Sequence, residues 1–424
     1  MRIKMGLDKP IVCDTIIRRG LGAVPDYLCF TEAFAMYTLL LALIYLIFIS
    51  LGLPDSLLGS AWPTMRLAFD MPLDAAGIIS MLIAGCTICS SLLSERLTKR
   101  FTTRWVTVVS VFLTAAALLG FSAAGQFWML CLWAIPYGLG AGAIDSAINN
   151  YVALHYKARH MSWLHCFWGV GTIISPYIMS WAITHAEWQT GYRTVATLQL
   201  CIGAVLVLTL PVWKIHQPRG ESDEAAPVLG IRGALRIQGA PTLFLGFFAY
   251  CAGESIAMLW SSSFLAEARG VSVETAAAFG ALFFIGITAG RFAAGFISDR
   301  LGDRRMIRLG TAVAALGVAA IALPVQSDLP SLAGLVLFGV GCAPVYPSII
   351  HATPDNFGAK NSQAIIGMQM ASAYVGSTFI PPLFGLIADR AGLQWMPLFL
   401  ALFLALMISM TEATFRRVAR ARGN

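Results

Sequence analysis

Twelve apolar stretches of about 20 residues recur along the chain and constrain its fold more than any other feature. A helix of that length spans a hydrocarbon core about 30 Å thick. Only 12% of the residues are charged, whereas a soluble domain carries about 25%. The sequence lacks the period-two alternation that is typical of a membrane β-barrel. It therefore predicts an all-α membrane protein with twelve transmembrane helices, at 36–60, 73–94, 105–124, 127–153, 162–184, 193–213, 241–265, 273–297, 306–325, 330–351, 362–388 and 394–411.

Basic residues are concentrated in alternate loops, within a net charge of +7. They cluster in the N-terminal arm, after the second, fourth and eighth predicted spans, in the middle segment and in the C-terminal tail. The opposite loops hold only Arg66, Arg193, Arg269 and Arg390. Because cytoplasmic loops carry an excess of Lys and Arg, we expect both termini in the cytoplasm of a multi-pass protein of the bacterial inner membrane. The basic charge thus predicts orientation in a lipid bilayer, and no nucleic-acid partner.

A polar segment at 214–240 divides the chain into two similar parts. It contains the acidic cluster Glu221, Asp223 and Glu224, and we interpret it as a linker. SERLTKR at 94–100 aligns with SDRLGDR at 298–304, an offset of about 200 residues. Such duplication is typical of secondary transporters, whose substrate site lies between the repeats. The predicted organisation is an N-terminal arm at 1–35, a six-helix bundle at 36–213, a cytoplasmic linker at 214–240, a second six-helix bundle at 241–411 and a basic cytoplasmic tail at 412–424.

Three short motifs resemble the loop motif of the major facilitator superfamily, Gly-x-x-x-Asp-Arg-x-Gly-Arg/Lys-Arg/Lys. GFISDRLGDRR at 295–305 follows the eighth predicted helix and matches the motif well, whereas SERLTKR at 94–100 departs from it. GLIADRAG at 385–392 echoes it after the eleventh helix. The resemblance implies two bundles that rock about a central cavity, and a latch between the inner ends of helices. The implied latch residues are Glu95, Arg96, Asp299, Arg300, Arg304, Asp389 and Arg390.

A narrower resemblance covers DSAINNYVALHYKARHMSWLHCFWGVGTIISP at 145–176, which is similar to the fucose:proton symporter group. Asp145 falls on the acidic residue of that group, Asn149 falls on its Asn, and His165 replaces its Gln. Asp55, in GLPDSLLGSAWP at 52–63, falls on the aspartate of its first helix. The resemblance implies uptake of a sugar coupled to a proton.

Asp145 lies within an apolar, glycine-rich helical run, where a carboxylate is costly. A charge at the bilayer centre costs about 3 kcal/mol on insertion scales. Gly142, Asp145 and Asn149 share one helix face, and Gly138 with Gly142 favours close approach of another helix. Desolvation favours the protonated form of a carboxyl, so we predict that Asp145 carries the coupling proton. The alternative is a structural carboxylate that bonds to a neighbouring helix.

Three more groups are predicted to take part in proton coupling, each with an open alternative. Asp55 is a second proton site or a hydroxyl acceptor, unless it lies at the outer interface. Glu254 coordinates substrate, a proton or Na⁺, or is structural. His165 relays protons with Asp145, or hydrogen-bonds sugar or backbone as a neutral imidazole. Arg291 is expected to snorkel or to pair with a loop acid.

Sugars bind through hydrogen bonds and by stacking on aromatic rings, which indicates a second set of residues. The predicted substrate contacts are Asn149, Asn150, Trp163, Trp168, Tyr250, Trp260 and Tyr346. Any single aromatic among them has packing as its alternative role.

The predicted function is import of a sugar or polyol by symport with H⁺ or Na⁺ through alternating access. The alternative is a proton-coupled exporter of drugs or amphiphiles, and a non-transporting sensor is a third class. The sequence shows no metal-ligand cluster and no nucleophile–base pair with recognisable spacing. We therefore predict no enzyme activity, cofactor or metal. We also expect the protein to be a monomer.

Overall fold

A computed structural model describes residues 26–216, 228–325 and 327–423, which contain helices and no strand. Fifteen α-helices follow one another along these residues. In the first half they are α1 (Asp26–Asp55), α2 (Leu57–Ala68), α3 (Ala76–Ala123), α4 (Phe127–His155), α5 (Ala158–His185) and α6 (Trp188–Leu208). In the second half they are α7 (Gly230–Arg236), α8 (Ala240–Ser263), α9 (Val273–Leu301), α10 (Asp303–Ala322), α11 (Leu329–Cys342), α12 (Val345–His351), α13 (Thr353–Phe357), α14 (Ala359–Ala391) and α15 (Met396–Gly423).

The helices account for the twelve predicted spans. Ten helical stretches of the described chain are long and apolar enough to cross a membrane. One of them, α3, has 48 residues and contains two predicted spans, separated at Thr102 by a non-helical backbone with φ 63° and ψ 154°. The 29-residue helix α9 provides the remaining span. The prediction of an all-α fold with twelve transmembrane helices is confirmed.

Three boundaries differ from the predicted organisation. Helix α1 begins at Asp26, inside the predicted arm at 1–35. The predicted linker at 214–240 contains α7, whose start is held because Glu95 accepts hydrogen bonds from the backbone N–H groups of Leu229 and Gly230, at 2.8 and 3.0 Å. The cluster at 221–224 lies outside the described residues. The predicted tail at 412–424 continues α15 to Gly423 rather than forming a separate segment.

Two glycines bring α4 against α3, as their spacing predicts. A Cβ at Gly142 would overlap the backbone carbonyl of Thr87 and the hydroxyl of Ser90. A Cβ at Gly138 would overlap the carbonyl of Ile83 in the same way. This close approach holds α4 against α3 one turn before Asp145 and limits the freedom of the helix that carries the carboxylate.

The two halves meet tightly at one end of the molecule, which we call the basic end because it carries the loops around 96–104, 157–159 and 300–308. Arg159 pairs there with Asp299 at 2.6 Å. The hydroxyls of Ser162 and Ser298 lie 3.4 Å apart. Further contacts join α14 to α3 and α4: Ser362 donates to Asn150 at 2.6 Å, and Gln363 donates to Ser94 at 3.2 Å. The halves are therefore closed against each other at the basic end.

Candidate functional site

A cavity of about 490 Å³ lies between the two halves. Its lining extends from buried groups near the middle of the helices to Gly59 and Ala76, at the end opposite the basic end. Because the basic end is closed, the cavity opens away from it. The chemically active side chains that line it are Asp55, Asp145, His165 and Trp168 from the first half, and Glu254, Arg291, Tyr346 and Tyr374 from the second.

Asp145 is a buried acid of the first half and is 4% exposed. Its Oδ1 accepts a hydrogen bond from Asn149 Nδ2 at 2.8 Å, one helical turn away on α4. Its Oδ2 accepts a hydrogen bond from the Tyr374 hydroxyl at 3.0 Å. Tyr374 belongs to α14 of the other half, so this carboxylate takes part directly in the contact between the halves.

His165 reaches Asp145 through Asn149, without a direct bond. Its Nε2 lies 3.1 Å from Asn149 Oδ1. Because Asn149 Nδ2 donates to Asp145, its Oδ1 accepts, and His165 Nε2 carries the hydrogen. The predicted trio of Asp145, Asn149 and His165 is thus assembled as a chain, with the imidazole edge-on to Tyr346 at 4.7 Å between ring centroids.

Asp55 lies in the cavity wall, at the break between α1 and α2 that follows Pro54. Its Oδ1 accepts from the Tyr137 hydroxyl and its Oδ2 from Trp168 Nε1, both at 2.9 Å. Its side chain is exposed to this cavity. Both carboxylate oxygens are occupied by donors from neighbouring helices.

Glu254 and Arg291 form an ion pair of the second half, between α8 and α9. Arg291 Nη2 lies 3.4 Å from Glu254 Oε1, and that oxygen also accepts from the Tyr250 hydroxyl at 2.8 Å. Arg291 is 4% exposed. The expectation that it snorkels or pairs with a loop acid is wrong, because its nearest counter-ion is an acid inside the bundle. Its guanidinium carbon lies 5.8 Å from the Trp168 ring and 5.9 Å from the Tyr346 ring.

Trp168 and Tyr346 are the predicted substrate contacts that line the cavity. Asn149 is fully buried behind Asp145. Asn150 accepts from Ser362 between the halves. Trp163 donates to the Phe292 carbonyl at 3.2 Å, in the same interface.

The other two predicted substrate contacts support the wall of the second half. The Tyr250 hydroxyl lies 2.8 Å from Glu254 Oε1 and 2.9 Å from the Cys342 carbonyl oxygen, so its single O–H is shared between two acceptors and it positions the acid from behind. Trp260 donates to the Pro381 carbonyl at 2.9 Å and packs against Phe384. The indole N–H of Trp260 and the hydroxyl of Tyr250 are therefore both bonded to protein groups.

Sequence reasoning missed two tyrosines that contact the acids, Tyr137 and Tyr374. The signal for Tyr137 was present, because residues 137, 141 and 145 recur at intervals of four and therefore share a helix face. All three line the cavity. The partnership of Tyr374 with Asp145 spans 229 residues, and no local pattern indicates it.

The predicted latch residues do not form a single cluster, and three of them make contacts with different partners. Asp299 joins the halves, because it pairs with Arg159 through both the guanidinium and the backbone N–H. Glu95 binds Lys99 and the start of α7, and Arg304 pairs with Glu412 of α15 at 2.6 Å.

Four latch candidates remain, Arg96, Arg300, Asp389 and Arg390. The described residues show no ion pair for Arg96 or Arg300. Asp389 and Arg390 lie near the end of α14, a 33-residue helix whose start contacts the basic end. A helix of that length extends about 50 Å. These two residues are therefore at the opposite end, and the predicted latch of inner ends does not include them.

The acids that line the cavity are Asp55, Asp145 and Glu254. Among the described residues, no group of three or more His, Cys, Asp or Glu side chains is placed to hold a metal ion. The arrangement instead offers carboxylates with hydrogen-bond donors, an imidazole and one guanidinium, which suits proton transfer and the binding of hydroxyl groups.

A family model described as Major Facilitator Superfamily matches residues 44–241 and 242–424. Bypass of stop codon protein 6 of Saccharomyces cerevisiae is 22% identical over 398 residues, which cover 85% of this chain and 79% of that protein. The glucose/mannose transporter GlcP of Bacillus subtilis is 20% identical over 348 residues, which cover 80% of this chain and 86% of GlcP.

Two solved structures share the fold. One is FucP, the E. coli fucose:proton symporter, in its outward conformation. It matches this chain with a TM-score of 0.72 and 18% identity, over 90% of this chain and 99% of that chain. The proton:xylose symporter XylE, bound to 6-bromo-6-deoxy-D-glucose, gives a TM-score of 0.74 and 11% identity, over 92% of this chain and 96% of that chain. At such identities the likeness establishes architecture.

Proposed function

This chain belongs to the major facilitator superfamily, and we propose that it imports a sugar or polyol together with a proton by alternating access. The superfamily consists of transporters rather than enzymes. The proposal takes the basic end as cytoplasmic, in agreement with the positive-inside rule. Both termini would then lie in the cytoplasm of a bacterial cell, and the described cavity would face the outside.

The observation that carries the proposal is the pair of hydrogen bonds at Asp145. Asn149 of the same half donates to one oxygen, and Tyr374 of the other half donates to the second. An ionised carboxylate accepts at both oxygens, whereas a protonated one has an O–H that must donate. Protonation of Asp145 therefore changes a contact between the halves.

The contact between Asp145 and Tyr374 therefore links binding of the proton to the relative movement of the two halves. When a proton occupies Oδ2, the Tyr374 hydroxyl must turn from donor to acceptor or release the carboxyl. The proton thus alters the relative stability of the two arrangements of the halves, as coupling requires. When the basic end opens, the proton and the solute reach the cytoplasm together.

The polar lining supports a hydroxyl-rich solute. Asp55, His165 and Asp145 contribute from one half, and Glu254, Arg291 and Tyr346 contribute from the other. Trp168 and Tyr346 add ring faces on which the C–H groups of a sugar can pack. The sugar transport named for GlcP, FucP and XylE agrees with this reading.

Counterflow in proteoliposomes tests transport without any ion gradient. Vesicles loaded with one unlabelled sugar of a panel, D-glucose, D-mannose, D-galactose, L-fucose or D-xylose, receive a trace of the labelled form outside. We expect transient accumulation of label for at least one sugar, with none in protein-free vesicles. Binding of a sugar without exchange would indicate a sensor, and efflux of amphiphilic dyes with no sugar exchange would indicate an exporter.

A further inference from the structure

The Glu254–Arg291 pair takes no part in the proton pathway proposed above, yet it lies in the cavity wall. Arg291 Nη2 and Glu254 Oε1 are 3.4 Å apart, whereas a well-formed charged hydrogen bond measures about 2.7–2.9 Å. The buried Nε of Arg291 has no hydrogen-bond partner among the described residues. A guanidinium has five N–H donors, and the contact with Glu254 uses one of them. Because Arg291 lines the cavity, the pair leaves donors for an added ligand.

The surroundings fix the guanidinium and supply the rest of a binding site. Trp168 of the first half and Tyr346 of the second lie 5.8 and 5.9 Å from its central carbon. Tyr250 occupies Glu254 Oε1 from behind. The cavity therefore contains a positioned fork of donors beside an acceptor, with ring faces from both halves.

The opposite charges of Arg291 and Glu254 compensate each other, and this affects which ligand charge the cavity accepts. An unpaired Arg in the cavity would attract a carboxylate, and an unpaired Glu would attract an ammonium group. The other two acids of the cavity, Asp55 and Asp145, each already accept two hydrogen bonds from protein donors. They therefore leave less acceptor capacity for an amine than an uncapped carboxylate would.

We propose that Arg291 and Glu254 bind adjacent hydroxyl groups of an uncharged sugar, and that their mutual compensation excludes sugar acids and amino sugars. Arg291 donates to the two hydroxyl oxygens, and one hydroxyl hydrogen is donated to Glu254. This inference rests on the proposed function, whose substrate class it narrows.

Competition on the wild-type protein gives the first test. The sugar exchanged in counterflow is competed with its uronic acid and its 2-amino-2-deoxy derivative, for example D-glucuronate and D-glucosamine against D-glucose. We expect both charged competitors to be at least about tenfold weaker than the neutral sugar. Equal competition by either one contradicts the inference without affecting the assignment as a sugar transporter.

Glu254→Gln gives the second test, because it leaves the Arg291 cation uncompensated. The ratio of uronate to neutral-sugar competition should rise by about tenfold or more. The double variant Glu254→Gln with Arg291→Gln restores neutrality, and the preference for the neutral sugar should return with weaker binding overall. Glu187→Gln removes an exposed acid outside the cavity and should leave the ratio unchanged.

The results separate this inference from the proposed function. If no sugar of the panel exchanges, both fail. If sugar exchanges and the uronate ratio in Glu254→Gln equals that of the wild type, the Glu254–Arg291 site is refuted and sugar transport stands. If neither variant folds, the wild-type competition decides by itself.

Discussion

Asp145→Asn abolishes proton-driven accumulation of sugar and preserves counterflow, if this carboxyl carries the coupling proton. An amide has nearly the shape of a protonated carboxyl, with one acceptor and one donor group, so it can keep the contacts to Asn149 and Tyr374. It cannot exchange a proton. A potential of 100 mV supplies about 2.3 kcal/mol per charge, which corresponds to about a 50-fold gradient. The variant should lose that gradient entirely, so that inside and outside concentrations become equal.

The measurement is uptake of labelled sugar into vesicles under an imposed proton gradient, beside counterflow in the same preparation. Asp74→Asn is the matched control, because Asp74 is exposed at the end opposite the basic end. That variant should accumulate sugar like the wild type. Undiminished accumulation by Asp145→Asn would remove the assignment and direct attention to Asp55.

A disulfide between cysteines at 162 and 298 locks the basic end and stops transport. The hydroxyls of Ser162 on α5 and Ser298 on α9 are 3.4 Å apart, in a closed interface between the halves. Cysteines at such close positions can form a bond of about 2.05 Å with small adjustments. Alternating access requires these helices to separate, so oxidised Ser162→Cys/Ser298→Cys should lose transport in proportion to the cross-linked fraction. Reduction should restore it.

The chain offers a matched pair within one half. Thr242 on α8 and Thr414 on α15 have hydroxyls 2.9 Å apart and are both buried. Oxidised Thr242→Cys/Thr414→Cys should transport normally, because the bundle moves as a unit. The single variants at 162 and 298 report any effect of substitution alone. Full activity of the cross-linked 162/298 pair would exclude separation of the halves at this end.

The sequence predicts the number and orientation of the helices well, because hydropathy and loop charge can be read from short segments of the chain. Twelve apolar stretches and the basic loops around 96–104 and 300–308 carry that information directly. The boundaries of the helices also depend on contacts between segments that are distant in the sequence. Glu95 holds the start of α7, and Glu412 pairs with Arg304 and Arg308, so a predicted linker and a predicted tail are partly helical.

The site shows the same division between local and distant information. Asp145 and Asn149 are one turn apart, and helical spacing alone places them together. Arg291 and Glu254 lie on different helices, 37 residues apart, and each appears isolated in the sequence. A buried charge implies a partner, but spacing does not identify it. For this reason the snorkelling expected of Arg291 was wrong.

The aromatic candidates illustrate a further difficulty. A Trp or Tyr in an apolar helix has a ring that packs and a polar group that needs a partner. Trp163 and Trp260 find backbone carbonyls, whereas Trp168 finds Asp55 inside the cavity. The sequence shows the residue type alone, and the neighbouring helix decides which role it takes.

The most direct test of the account is the pH outside energy-depleted cells or vesicles when the exchanged sugar is added in Na⁺-free medium. Because sugar and proton are proposed to enter together, the medium should become more alkaline as the sugar enters, and a protonophore should remove the signal. Sugar entry at the normal rate with no change in external pH would contradict proton symport.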